Sequence, residues 1–151
     1  MIILAIDPGG TLGYVRAEPC QPPKLAEILG WGETKHHQLF LEHVELGCSL
    51  GIYDQLVVER WSPVGGRPKT FEPDAQEQIG ALKYIAWKYD VPLALQTVSS
   101  AREFATPTKL ALFKDDRVGK GSEGDHAQMA LKHLIRFRWI QFFQEVDRVE
   151  R

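Results

Sequence analysis

Apolar residues fill every position from Ile2 to Ile6 and stop at Asp7. An unbroken run of that length predicts a strand buried on both faces. Pro8-Gly9-Gly10 turns the chain into a weaker strand, Leu12 to Ala17, and the proline-rich stretch Pro19 to Pro23 leads to a third, Leu25 to Trp31. The chain therefore opens as a three-stranded meander. From Thr34 to about Leu50 the period changes, with Leu39, Phe40, Val44, Gly47 and Leu50 recurring at helical spacing. Leu56-Val57-Val58 is a β-branched core strand delivering Glu59. Arg60 to Phe71, which holds Pro63, Gly65, Gly66 and Pro68, reads as loop. Pro73 then starts a helix whose apolar stripe is Ile79, Leu82, Ile85, Ala86 and Tyr89. Leu93 to Leu95 is a fifth strand. A Ser/Thr-rich connection, a short amphipathic piece near Lys109 to Phe113 and the basic, Gly-rich stretch Lys114 to Gly124 precede a last helix, Asp125 to about Ile140.

The order β-β-β-α-β-α-β-α predicts an α/β fold with a five-stranded mixed sheet and helices on its faces, because a plainly alternating protein would not begin with three consecutive strands. A length of 151 residues fits one domain, 1–151, with no repeat or linker in the pattern. Hydrophobic residues at 44% and charged ones at 25% exclude a disordered chain. No apolar run is long enough to cross a bilayer or has signal-peptide anatomy, so the expectation is a cytoplasmic protein without a membrane partner. Cys20 and Cys48 stand in no metal-ligand pattern and read as buried or incidental thiols.

A net charge of −2 argues at first against a polyanionic partner. Its distribution changes that picture. Up to Gln55 three basic residues face seven acidic ones, whereas Arg60 to Arg138 carries thirteen basic against nine acidic. Carboxylates kept for a metal lower net charge without removing a basic face elsewhere.

Three carboxylates occupy telling places: Asp7 ends the first strand, Glu59 ends the fourth, and Asp125 heads the final helix. If the first and fourth strands are neighbours, Asp7 and Glu59 project side by side, and the last helix brings Asp125 alongside. Clustered carboxylates repel unless a hard cation lies between them, and magnesium is the natural candidate. Two such ions about 4 Å apart suit in-line hydrolysis of a phosphodiester. On the last helix Ala127, Ala130, Leu131 and Leu134 form the core stripe, with Asp125, Gln128, Lys132 and Arg136 opposite. Each acid taken singly also suits a local role: Asp7 an Asx turn, Asp125 an N-cap.

Ala5-Ile6-Asp7-Pro8-Gly9-Gly10-Thr11-Leu12-Gly13-Tyr14, Val57-Val58-Glu59 and Asp125-His126-Ala127-Gln128-Met129-Ala130-Leu131-Lys132-His133 occur in the order of the acidic motifs of one family. The chain resembles the RuvC-like Holliday-junction resolvases, in particular their phage branch, within the ribonuclease-H-like and retroviral-integrase superfamily. Ile79-Gly80-Ala81-Leu82-Lys83-Tyr84, Val91-Pro92-Leu93 and Gln96 to Arg102 extend the likeness over nearly the whole chain.

The resemblance implies a homodimer that nicks two strands of a four-way DNA junction symmetrically, with two magnesium ions per site replaceable by manganese. Asp7, Glu59 and Asp125 carry over as catalytic metal ligands. The family's fourth ligand lies three residues before the last aspartate, where this chain has Ser122; Glu123 is the first candidate instead, the alternative being that no nearby residue contributes. His126 reads as an outward helix residue or a phosphate contact. Arg102 falls where relatives hold the scissile phosphate, and Lys120, Arg67, Lys69 and Lys132 supply further positive charge toward DNA. Trp61 suits stacking on an unpaired base, worth about 1–3 kcal/mol, or core packing. Trp31, Trp87 and Trp139 are assigned to packing, and Ile79, Leu82 and Tyr89, or Phe142-Phe143, to the dimer interface. A flap- or RNA-processing nuclease of the same class, or an inactive junction-binding relative, are the nearest rivals. An actin-like ATPase, suggested by Asp7-Pro8-Gly9-Gly10-Thr11, needs two domains that this length does not supply.

Overall fold

The structure is a computed structural model that describes residues 1–22, 24–60, 73–112 and 124–149. The meander consists of β1 (Ile3–Asp7), β2 (Leu12–Pro19) and β3 (Ala26–Thr34). It is followed by α1 (His37–Ser49), β4 (Gln55–Arg60), α2 (Pro73–Lys88), β5 (Leu93–Thr97), α3 (Val98–Phe104), α4 (Pro107–Leu112) and α5 (Asp125–Val149). The strands form one sheet in the order β3-β2-β1-β4-β5, antiparallel across β3, β2 and β1 and parallel across β1, β4 and β5. This is the mixed five-stranded α/β architecture expected from the hydrophobic pattern.

Both faces of β1 are buried because the sheet lies between two helical layers. Ile3, Ala5, Val15, Ala17 and Val57 pack against Ala127, Ala130, Leu131, Leu134 and Ile135 of α5. On the other face Leu4, Ile6, Leu12, Leu56 and Val58 pack against Phe40 and Val44 of α1 and Ile79, Leu82, Ile85 and Ala86 of α2. Alternation along β1 and β4 thus assigns odd-numbered residues to the α5 side, the side on which Asp7 and Glu59 fall. Gly13 lets α5 approach: a Cβ there would lie 2.2 Å from the carbonyl carbon of His126.

Several expectations need correcting. Ile79 and Leu82 are 8% and 0% exposed; they belong to the protein's own core and are closed to a second subunit. Trp87 and Trp31 are 78% and 37% exposed, so neither belongs to the packed core, whereas Trp139 packs against Phe104 and Phe143. The Ser/Thr-rich connection is helical, because the Thr97 hydroxyl accepts from the Ser100 amide and caps α3. Helix α5 continues past Ile140 to Val149, with Trp139 and Phe142 packed against the α5-side core. Both cysteines are free thiols. Among the described residues no helix is long and apolar enough to cross a membrane.

Candidate active site

Strand pairing sets the first two acids side by side. β1 and β4 are parallel with Ile6 opposite Val58, so the next residues, Asp7 and Glu59, follow side by side on adjacent strands. The two carboxyls line the same cleft. Asp7 is only 5% exposed. Burial first, and then the Glu59 charge, push its carboxyl from 3.8 up to about 7, against the opposing pull of His126. A buried acid beside a second carboxylate is well served by a compensating cation.

The surrounding groups hold this pair in place. The His126 Nδ1 lies 2.9 Å from Asp7 Oδ2, so the side chain turns into the site and does not point away from it. His133, fully buried, places Nε2 2.9 Å from Glu59 Oε2, while its Nδ1 has no partner among the described residues. With the Glu59 carboxylate accepting, the Nε2–H is the donor of this bond. Gln96, opposite Glu59 in β5, donates to the His133 carbonyl and accepts from Arg136. The turn after Asp7 is clamped from the other helical layer: the Gln78 amide bridges both the N–H and the carbonyl of Gly9 at 3.0 Å, and His37 donates to the Gly10 carbonyl.

Helix α5 is aimed by a residue that the sequence reading passed over. Glu33 of β3 accepts from the backbone amides of His126 and Ala127 at 2.7 and 3.1 Å, capping the helix across 93 residues of chain. A carboxylate there also opposes the positive helix end. Glu33→Ala is therefore expected to lower stability by about 1–2 kcal/mol, read from the urea midpoint at unchanged slope, with Glu33→Gln losing less because it keeps the acceptor.

Asp7, Glu59, Asp125, His126, Arg102, Gln128 and Lys132 line one open cleft of about 470 Å³. Asp125 is exposed where it lines the cleft. Among the described residues no three histidine, cysteine or acidic side chains stand close enough to hold an ion alone. Glu123, Lys120, Trp61, Arg67 and Lys69 lie outside the described residues. The Asp7–Glu59 pair nonetheless fits a hard divalent cation, being an oxygen-only donor set with one member too buried to ionise comfortably.

No protein-family model matches the chain, and neither does any curated protein sequence. Solved structures do match in fold. Thermus thermophilus RuvC superposes with a TM-score of 0.66 at 16% identity, covering 92% of this chain and 96% of that one. T. thermophilus RuvC in complex with Holliday junction substrate gives 0.62 at 15%, with the same coverage. The Fowlpox virus resolvase in its complex with substrate Holliday junction DNA gives 0.61 at 11%, covering 93% and 99%. This chain has the ribonuclease-H-like fold of those resolvases over nearly its whole length, and its adjacent strand-end acids lie on the helix α5 side of that fold.

Proposed function

We propose that the protein is a divalent-metal-dependent endonuclease that resolves four-way DNA junctions. The observation that carries this reading is the pairing of Asp7 and Glu59 at the ends of adjacent parallel strands, in a cleft that also holds Asp125, Arg102 and Lys132. The resolvases sharing the fold, two of them bound to Holliday-junction DNA, supply the substrate class.

Asp7 and Glu59 would hold the ion, with Asp125 as the third ligand and Glu123 as the candidate fourth. Magnesium is the expected metal, in two ions per site, and manganese its substitute. The chemistry it supplies when bound is activation of water and neutralisation of charge at the leaving oxygen. The protein's own groups do the positioning. His133 holds one Glu59 oxygen and leaves the other for the site, His126 orients Asp7, and Arg102 and Lys132 attract the phosphate backbone. His133→Phe, which keeps the volume but removes the donor, is expected to slow single-turnover cleavage about 10- to 100-fold and raise the metal concentration for half-activity. Partial recovery in His133→Gln would identify the hydrogen bond as the cause.

Symmetrical nicking needs two active sites. The exposed face of α2 offers the surface for a homodimer: Gly80, Tyr84 and Trp87 lie at i, i+4 and i+7, with Tyr84 and Trp87 56% and 78% exposed. Trp87→Arg is expected to turn a dimer into a monomer in light scattering, and a wild-type monomer at micromolar concentration would refute the dimer.

The decisive test is cleavage of a labelled immobile four-way junction beside a linear duplex and a flap of the same sequence, with magnesium, manganese or chelator. Paired symmetrical nicks in the junction alone are expected. Equal cutting of the flap would make the enzyme a broader branched-DNA nuclease, and no cutting with either metal would leave a DNA-binding relative.

A further inference from the structure

A second cavity, of about 400 Å³, lies on the opposite face of the sheet from the carboxylates, between α1 and the strands β1 to β3. Its volume falls within the range of small-ligand sites, about 300–1,000 Å³. The floor is Arg16 and Tyr14 of β2. The register sets Gly30 opposite Arg16 and Gly32 opposite Tyr14, so the neighbouring strand adds no side chain over either. A Cβ on Gly30 would meet nothing within 4 Å, whereas one on Gly32 would strike the Tyr14 hydroxyl at 2.7 Å.

The chemistry of the lining is cationic and aromatic. The Arg16 Nε is buried with no hydrogen-bond partner among the described residues, although its guanidinium lies 5.9 Å from the Tyr53 ring centroid. A buried, unmade N–H is costly unless something else accepts from it. His36 and His43 stand at the rim, the latter 3.1 Å from the Tyr53 hydroxyl. The Tyr14 ring lies tilted against that of Phe40, with centroids 5.3 Å apart. Glu33, the acid bordering this cavity, has its Oε1 committed to the amides of α5.

We infer that this cavity binds a nucleoside monophosphate unit, its phosphate on Arg16, His36 and His43 and its base against Tyr14 and Phe40. An arginine fork matches phosphate oxygens in pairs, and aromatic faces accept any base. The unit is either a free nucleotide or the 5′-phosphorylated end of a DNA strand. The inference does not depend on the nuclease reading.

The test is calorimetric titration of the full chain in chelator with deoxyadenosine monophosphate, deoxyadenosine, inorganic phosphate and a 5′-phosphorylated oligonucleotide. The monophosphate should saturate, with phosphate and nucleoside each weaker by about tenfold or more. Arg16→Met should lose about tenfold in monophosphate affinity while its melting temperature stays level or rises, because it removes an unsatisfied buried donor. Asp7→Asn should bind like wild type. Tighter binding of the oligonucleotide would assign the strand end, and tighter binding of the monophosphate the free nucleotide. Absence of saturation by either, unchanged affinity in Arg16→Met, or a lower melting temperature in that variant would overturn the inference, the last by showing that Arg16 serves the fold.

Discussion

Asp7→Asn is expected to reduce junction cleavage by about a thousandfold, equivalent to roughly 4 kcal/mol of lost transition-state stabilisation, while leaving junction binding in a gel shift nearly intact. Asn keeps the shape of Asp7 and its place at the end of β1, but it cannot supply a charged ligand beside Glu59. The basic groups proposed to meet phosphate, Arg102 and Lys132, are untouched. Binding and cleavage should therefore separate. An Asp7→Asn protein that cuts at the wild-type rate in magnesium would remove Asp7 from the chemistry and with it the proposed reaction.

In chelator, the wild-type protein is expected to lose stability as pH rises from about 4 through about 7. Asp7 has an ordinary carboxyl value of 3.8 when unfolded and is pushed up to about 7 in the fold, chiefly by burial and next by Glu59. A folded-state value raised above the unfolded one means that the folded protein binds the proton more tightly. The stabilisation is complete below the unfolded value and is lost as pH climbs through the folded one. The loss is of order a few kcal/mol, about 4 at most, or roughly 10 °C in melting temperature for a chain of this length. Magnesium at pH 8 should restore most of it, because a cation between the carboxylates replaces the proton. Asp7→Asn in chelator should show a much flatter pH profile. A wild-type melting temperature that does not fall between pH 5 and 8 would show that Asp7 ionises freely and that the site needs no cation.

The two predictions bear on one physical trade-off. A pair of acids kept close and dry enough to bind a divalent ion must destabilise the fold whenever that ion is missing. The groups around the pair confine this cost without removing it. His126 opposes the rise in the Asp7 value, and His133 gives Glu59 a single donor from inside the core. The Gln78 amide fixes the turn that follows Asp7 and links it to α2, the helix whose outer face carries Tyr84 and Trp87. The turn after Asp7 is thus tied by two hydrogen bonds to the helix that carries the proposed dimer surface.

Much of the architecture was legible in the one-dimensional pattern. The unbroken apolar run before Asp7, the Val57-Val58 pair before Glu59 and the Ala127, Ala130, Leu131, Leu134 stripe each reported a local period that burial enforces, and each element formed where that period placed it. The same patterns marked three acids as lying at element ends, where a side chain escapes the core. They did not reveal which groups would hold those acids. Glu33 reaches α5 across 93 residues, His133 reaches Glu59 across 74 and Gln78 reaches Gly9 across 69, and in each case a single polar side chain makes the contact without periodic neighbours to announce it. Helical spacing likewise marked Ile79 and Leu82 as apolar but not whether the covering surface was the sheet or another subunit. Local periodicity is written into the sequence because every residue of an element shares one burial environment; the partners of an isolated polar or apolar side chain exist only once the sheet has closed, and that was decided by the tertiary structure.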